Sequence, residues 1–140
     1  MRCLAAVLSS ILLGACSTAP TTRGQSQLQK VSMNPPVEFL LTAAATDFHT
    51  HRPPYPVRLR DVHLGYVMTP DGTNQYMLCG EFLPAQESAK AKWTPFATIK
   101  TSGYEQVLGG QAVSLCERSS IVWDKKDLSA SLQSRLDSLR

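Results

Sequence analysis

The chain has 140 residues, of which 43% are hydrophobic and 18% are charged, and its formal net charge is +3. This length allows one domain with a substantial core and leaves too few residues for two. No block of basic residues stands out along the chain, so nucleic acid is not indicated as a partner.

The first segment of the chain has the three parts of an export signal. Arg2 supplies a positive charge, an apolar run extends over residues 4–13, and the small residues Gly14 and Ala15 precede Cys16. The run of about ten residues is too short to cross a hydrocarbon core, for which a helix needs about 20. A removable signal peptide is therefore indicated.

The residues Leu13-Gly14-Ala15-Cys16 resemble the lipobox of bacterial lipoproteins. The resemblance implies that residues 1–15 are removed as a lipoprotein signal peptide and that Cys16 carries a diacylglycerol. Several acyl chains, each contributing about 0.8 kcal/mol per buried CH₂, make a lasting membrane anchor. The alternative is a plain secreted protein whose cysteine lies near the cleavage site by chance.

The residue that follows the cysteine is Ser17 and not an aspartate. By analogy with Gram-negative lipoproteins, this implies an anchor in the outer membrane that faces the periplasm. Residues 16–34 are predicted to be a lipidated flexible tether, because they are small and polar and have little to bury. Residues 35–140 are predicted to form a single globular domain.

The four cysteines of the chain fall into separate roles. Cys3 leaves with the signal peptide and Cys16 is lipidated, so Cys79 and Cys116 remain. In an oxidising compartment two remaining cysteines most simply form a disulfide, which would contribute roughly 3–4 kcal/mol. The alternative is a redox-active or metal-binding thiol pair, which no Cys-x-x-Cys spacing supports.

Two helices are predicted, near residues 36–50 and 127–139. Asn34 is a good N-cap for the first and prolines suit its first turn, while Asp124 or Asp127 can cap the second. Apolar residues recur at helical spacing in the first helix (Val37, Leu40, Leu41, Ala44 and Phe48) and in the second (Leu128, Leu132, Leu136 and Leu139). Both faces are expected to pack on a sheet, although the second helix could instead present its stripe to a partner.

The sheet is predicted from alternating apolar residues. Residues 57–83 are typical of a hairpin with a turn at 70–72, and the parity of the alternation changes around Asp61, which indicates a bulge or two short strands. A polar loop over 84–92 precedes a third strand over 93–100, where Pro95 indicates an edge or a bulge. Residues 112–116 and 121–123 are predicted as further short strands. The fold class is therefore α+β, a small antiparallel sheet with two helices and one disulfide.

The stretch 76–82, followed by 93–96, is similar to small secreted bacterial proteins that are mostly uncharacterised. Those proteins carry a strand ending in Cys-Gly, a loop, an aromatic strand and a later cysteine. The resemblance supports pairing of Cys79 with Cys116 and implies no activity.

The most distinctive candidate for chemistry is Asp47-x-His49-x-His51, which resembles the first metal motif of amidohydrolase-type and polymerase/histidinol-phosphatase-type hydrolases. Those enzymes are larger barrels with further ligands downstream, and here only His63 remains. The motif also continues a helix, in which residues i and i+2 do not face each other. A polar helix end is the favoured interpretation, and His49, His51 and His63 are the metal ligands to test.

No catalytic residue, metal site or cofactor is predicted. No nucleophile elbow or phosphate-binding loop is present, and nothing selects a catalytic pair among the carboxylates. Tyrosines and tryptophans could form a patch for a ligand or partner, or complete a small core (Tyr55, Tyr66, Tyr76, Trp93, Tyr104 and Trp123). The predicted function is a membrane-anchored envelope lipoprotein that acts as a non-catalytic structural or accessory binding module for an envelope protein. The alternatives are a small envelope hydrolase, with a metal held by the histidines as one option, and a ligand-binding or inhibitor domain.

Overall fold

The computed structural model describes residues 34–51, 56–85 and 92–140. In chain order its elements are α1 (Pro35–Thr50), β1 (Pro56–Met68), β2 (Asn74–Pro84), β3 (Thr94–Lys100), β4 (Tyr104–Leu108), α2 (Gly110–Cys116), β5 (Val122–Trp123) and α3 (Ser129–Asp137). The strands form one antiparallel sheet in the order β4-β3-β2-β1-β5. The predicted α+β class and the disulfide are confirmed.

Several predictions lie outside the described residues. These are the signal peptide over 1–15, the lipidated Cys16, the tether up to Asn34 and most of the polar loop over 84–92. Within the part of the chain that the structure describes, no helix is long and apolar enough to cross a membrane.

The predicted hairpin is formed by β1 and β2, which pair from Pro56 with Pro84 to Met68 with Asn74. Asp71 organises the connecting turn, because its carboxylate accepts hydrogen bonds from the hydroxyls of Thr69 and Thr73. These two hydrogen bonds lower the pKa of Asp71 below its ordinary value. Gly72 occupies the left-handed region with φ of 81°, which glycine adopts without strain. The turn is thus closed by side chains as well as by backbone.

The change of parity in β1 is a bulge at Asp61. The register with β2 shifts between Arg60 and His63, and Asp61 has a positive φ of 52°. Leu59 before the bulge and Leu64 after it therefore contact the same core, although their numbers differ in parity. The bulge prediction is confirmed, and two separate short strands are excluded.

The sheet is covered on both sides by separate cores. The side facing α1 and α3 carries the larger one, which we call the main core (Val37, Leu40, Leu41, Ala44, Ala45, Phe48, Val62, Leu64, Leu78, Phe82, Phe96, Leu128, Leu132 and Leu136). The other side packs against α2 and the segment before β5, and we call its cluster the second core (Met77, Cys79, Ala97, Ile99, Ala112 and Ile121). The central strands β2 and β3 contribute alternate side chains to both cores.

The two helices over the main core are also joined at their exposed edges. Arg135 of α3 forms an ion pair with Glu38 of α1 and donates a hydrogen bond of 2.9 Å to the Thr42 hydroxyl. Leu128, Leu132 and Leu136 are buried against α1 and the sheet, as predicted. These three side chains are therefore not exposed for binding a partner. Leu139 lies beyond the end of α3 and is 40% exposed, so its predicted place in the stripe is wrong.

Two strand predictions need correction, for residues 112–116 and for Pro95, and one strand was not predicted. Residues 112–116 lie in helix α2 and form no strand, whereas Val122–Trp123 is a strand as predicted. Strand β4 was not predicted. Pro95 lies in β3, which is an interior strand. The carbonyl of Pro95 accepts a hydrogen bond of 2.8 Å from the Gly109 N–H, beyond the last paired residue of β4. The missing N–H of the proline therefore leaves no ladder hydrogen bond unmade.

Gly80 is a position in β2 where the main core leaves no space for a side chain. A Cβ there would lie 2.8 Å from Cγ2 and 3.1 Å from Cα of Val62, and 3.0 Å from the ring of Phe96. Because one of these atoms is backbone, the neighbours cannot simply rotate away. We expect Gly80→Ala to lower the free energy of unfolding by about 1–3 kcal/mol, measured by urea denaturation.

Gly103 provides the matched control for this substitution. No heavy atom lies within 4 Å of the position that a Cβ would take at Gly103. Gly103→Ala should therefore leave the urea midpoint nearly unchanged. A loss of stability of the same size in both variants would contradict the packing argument at Gly80.

Candidate functional site

The largest concave feature of the described residues is a cleft on the side of the sheet that carries the second core. Its volume is about 570 Å³, and it is open to solvent along its mouth. It is lined by residues from β1, β2, β3, α2 and the segment that begins with β5 (Asp61, His63, Cys79, Gly80, Glu81, Pro95, Val113, Cys116, Glu117, Trp123, Asp124 and Lys125). We call it the disulfide cleft, and it lies within the volume range of ligand sites in proteins.

The floor of the disulfide cleft is the bond between Cys79 and Cys116. It joins the middle of β2 to the last residue of α2, with an S–S distance of 1.99 Å. Cys79 is 6% exposed and belongs to the second core. The bond holds α2 against the sheet, so one wall of the cleft is fixed to its floor. The predicted pairing of Cys79 with Cys116 is confirmed.

The opposite wall is formed by Trp123 and the residues after it. The indole ring lies over Gly65 of β1, where a Cβ would approach the ring to 2.8 Å and Cγ2 of Ile121 to 2.6 Å. The absence of a side chain at Gly65 thus allows the aromatic wall to lie directly on the sheet. Beyond Trp123, the Asp124 N–H donates to the Leu64 carbonyl at 2.9 Å, which keeps this wall along the edge of β1.

The rim of the disulfide cleft is mainly acidic. It carries the carboxylates of Asp61, Glu81, Glu117 and Asp124 against the single ammonium group of Lys125. The mixture of an apolar floor with a charged rim is suited to binding a ligand that has both characters. The rim is therefore negative, although residues 35–140 contain 11 basic and 11 acidic residues and are neutral as a whole.

Arg60 neutralises one end of this rim. Its guanidinium lies 2.6 Å from the Glu81 carboxylate and 3.5 Å from that of Asp61. The same guanidinium stacks over the Trp93 ring at 4.2 Å from the centroid, and Arg58 approaches that ring at 5.8 Å. The Arg60 cation is thus already engaged by an anion and an aromatic face. It is poorly placed to serve as a free anion-binding group.

His63 lies in the floor of the cleft beside the segment that leads to α3. Its Nδ1 is 3.1 Å from the Lys126 carbonyl, which can accept a hydrogen bond from that nitrogen. The N-cap residue of α3 is Leu128, so neither Asp124 nor Asp127 takes the predicted capping position. Asp127 lies one residue earlier, and its carboxylate accepts from the Ser129 N–H at 2.8 Å and from the Ser129 hydroxyl, while Asp124 accepts from the Lys126 N–H.

The structure does not bring the three predicted metal-ligand candidates together. His49 and His51 lie at the end of α1, over the main core, whereas His63 pairs with Cys79 on the other side of the sheet. His51 instead contacts Asp47 of the same helix, with Nδ1 3.1 Å from the carboxylate. No three His, Cys, Asp or Glu side chains in the described ranges lie close enough to hold one metal ion. The interpretation of this motif as a polar helix end agrees with these positions.

The predicted aromatic patch is divided between the two sides of the molecule. Trp123 and Trp93 lie at or beside the disulfide cleft, and Tyr66 and Tyr76 pack together on the main-core side with centroids 5.7 Å apart. The Tyr104 hydroxyl donates to Asp47 at 3.2 Å, and burial beside that carboxylate raises the pKa of Tyr104 above its ordinary value. Tyr55 lies outside the described residues. Of the described aromatic residues in this set, Trp123 lines the cleft, and Trp93 contacts Arg60 beside it.

The free energy of unfolding is expected to depend on pH through the carboxylate of Asp127. The hydrogen bonds from Ser129 lower the pKa of Asp127 below its ordinary value of 3.8. A depressed pKa stabilises the folded chain above pH 3.8, and this contribution is lost as the pH falls through the lower folded-state value. We expect Asp127→Ala to cost about 1 kcal/mol at neutral pH, and the difference from the unmodified chain to shrink below pH 3.8.

Urea denaturation at a series of pH values measures this dependence. Asp127→Asn keeps an acceptor for the Ser129 N–H without the titration, so it provides the matched control. Its stability should fall less steeply in acid than that of the unmodified chain. A constant difference between Asp127→Ala and the unmodified chain at all pH values would contradict the proposed linkage.

The cleft itself was missed by the sequence analysis, because its lining comes from segments far apart in the chain. One signal was available in the bulge at Asp61. Charged residues alternate with apolar ones on the same strands, and Arg60, His63 and Glu81 all fall on the side opposite the main core. That side is thus partly polar, which is typical of a face that is not wholly covered.

Comparisons with protein-family models, with curated proteins and with solved structures find no match to this chain.

Proposed function

We propose that the chain is a lipid-anchored lipoprotein of the bacterial envelope, held in the outer membrane and facing the periplasm. Its domain over residues 35–140 acts as a non-catalytic binding module for another envelope protein. The anchor is proposed from the lipobox resemblance at Cys16. The binding role is proposed from the disulfide cleft.

The single observation that carries the binding role is the construction of this cleft. Its floor is a disulfide, one wall is held by that disulfide, and the other wall is hydrogen-bonded along β1. A concave site on rigid elements loses little conformational entropy when a ligand binds. The apolar interior and charged rim are typical of surfaces that recognise a partner.

In-cell photo-crosslinking tests the binding role. A photoreactive amino acid at Lys125, which lines the cleft, is compared with one at Ser134, an exposed residue of α3 on the other side of the sheet. We expect a discrete crosslinked species from position 125 and none from position 134. Equal crosslinking from both positions, or none from either, would overturn the proposal that the cleft is the binding site.

The anchor is tested separately. Metabolic labelling with an alkyne-bearing palmitate should modify the unaltered chain, and Cys16→Ser should abolish the label. In the same cells, the crosslink from position 125 should weaken in the Cys16→Ser background, because the domain is no longer concentrated at the membrane. Labelling that persists in Cys16→Ser would contradict lipidation at Cys16.

A further inference from the structure

The disulfide cleft also indicates what kind of partner it fits, on the assumption of the binding role proposed above. We propose that the cleft binds a peptide segment of a partner protein in which a lysine or arginine lies beside an apolar side chain. The basic group would meet the carboxylates of the rim, and the apolar group would enter the space between Val113 and Trp123.

The first argument is the sign of the charge. Four carboxylates line the cleft against one lysine, whereas residues 35–140 as a whole contain 11 basic and 11 acidic residues. Negative charge is thus concentrated at this site in a domain that is neutral overall. Opposite potentials across an interface steer association and select the partner.

Two of these four carboxylates are available to bind a basic group of a partner, and two are already paired. Glu81 and Asp61 share the Arg60 guanidinium. Among the described residues, the Glu117 carboxylate has no hydrogen bond or ion pair, and the Asp124 carboxylate accepts a hydrogen bond from the Lys126 N–H alone. Both residues are exposed, and they line the cleft from two different segments of the chain. They can accept charge-assisted hydrogen bonds from an ammonium or guanidinium group without losing an internal partner.

The third argument is the apolar interior. Val113, Pro95, Trp123 and the disulfide provide carbon and sulfur surface between the charged groups. Trp123 is 39% exposed, so part of its ring surface is accessible to an occupant of the cleft. A purely polar cation would leave this surface in water, so the occupant should carry an apolar group next to its charge.

The shape favours a peptide over a small molecule. A site for a small ligand encloses most of the ligand surface, whereas this cleft is open between its two walls. An open cleft allows a chain to enter and leave while two or three side chains are bound. Tryptophan and arginine are also the residues that most often dominate binding between proteins.

Fluorescence anisotropy with short labelled peptides tests this proposal on the full-length protein in a non-ionic detergent. The probe is a peptide of alternating lysine and leucine. Two reference peptides replace the lysines by glutamates or the leucines by serines. We expect the lysine–leucine probe to bind and both reference peptides to bind more weakly. Raising the salt until the Debye length falls from about 30 Å to about 3 Å should weaken binding further.

A double variant assigns the binding to the two available carboxylates. Glu117→Gln with Asp124→Asn keeps the size of both side chains. We expect this double variant to lower the affinity for the lysine–leucine peptide by about fivefold. The matched control is Glu105→Gln with Asp137→Asn, which removes the same charge from exposed positions outside the cleft and should leave binding unchanged. Equal weakening in both variants would indicate nonspecific attraction and overturn the assignment.

The outcomes separate this inference from the function on which it rests. Preference for the glutamate peptide, or binding that is insensitive to the double variant, would overturn the basic-peptide proposal. If a partner is still crosslinked from position 125 in cells, the cleft remains a binding site for another chemistry. If neither the probe nor a partner is captured, the binding role fails as well.

Discussion

Replacing Cys79 and Cys116 together by alanine is expected to lower the free energy of unfolding by about 2–5 kcal/mol. The disulfide closes a loop across a sequence separation of 37 residues, so its removal increases the conformational entropy of the unfolded chain. It also removes the covalent link between β2 and α2. The second core is small, and we expect α2 to lose its fixed position before the main core unfolds.

Urea denaturation followed by tryptophan fluorescence measures this loss, since Trp123 lies in the wall of the same cleft. The unmodified chain under reducing conditions is the control, and its midpoint should move to that of the double-alanine variant. A variant that unfolds at the midpoint of the oxidised chain would show that the disulfide contributes nothing to stability.

Phe48→Ala is expected to cost about 3–5 kcal/mol. Phe48 is 2% exposed, and its ring lies 5.0 Å from that of Phe82 and 5.2 Å from that of Phe96, measured between centroids. It is the residue through which α1 contacts both central strands of the sheet. Alanine would leave a cavity among side chains that are held by the strand ladder and cannot collapse into it.

Phe39→Ala in the same helix is the matched control. Phe39 is 37% exposed and contacts the Lys100 ammonium group, which lies 4.4 Å from the ring centroid. The loss of an exposed contact of this kind is worth about 0.5–1 kcal/mol. Thermal denaturation of both variants should therefore separate them clearly. Similar losses in the two would place Phe48 outside the main core and contradict the structure.

The elements that the sequence predicted correctly are those whose pattern is long and one-sided. The helix over 35–50 buries residues at helical spacing from Val37 to Phe48, and the leucines of α3 do the same from Leu128 to Leu136. The hairpin was predictable because a turn signal separates two alternating runs. The bulge at Asp61 was predictable because only an extra residue reconciles Leu59 with Leu64 on one side of a strand.

The short elements were not predictable for physical reasons. Residues 112–116 form an apolar run too short to show a period, so the same residues fit a buried strand or one face of a short helix. Their covalent bond to β2 and their packing on the second core decide the outcome. Strand β4 is at the edge of the sheet, and its side chains are mostly half-buried, so its alternation is weak.

The disulfide in the floor of the cleft was predictable from the cysteine count, but its surroundings were not. The lining of the cleft depends on which segments the topology places beside β2, and β5 joins the sheet through only two paired residues, Val122 and Trp123. The histidine motif at the end of α1 was the more visible sequence signal, and it lies on the other side of the sheet. The histidines alone thus indicated a metal site at a position where the fold brings no further metal ligand from the described residues beside them.

Because β1 contains a bulge, the number of its residues, as well as their identity, decides which side of the sheet each side chain faces. Deleting Asp61 alone would remove the extra residue and leave a regularly alternating strand, in which Leu64 would still face the main core and His63 would still face the cleft. A substitution at Asp61 would likewise leave every neighbour facing as it does now. Deleting a regularly paired residue such as Gly65 would instead exchange inside for outside along the rest of the strand, so Asp61 is the position of β1 at which the chain can lose a residue without that exchange.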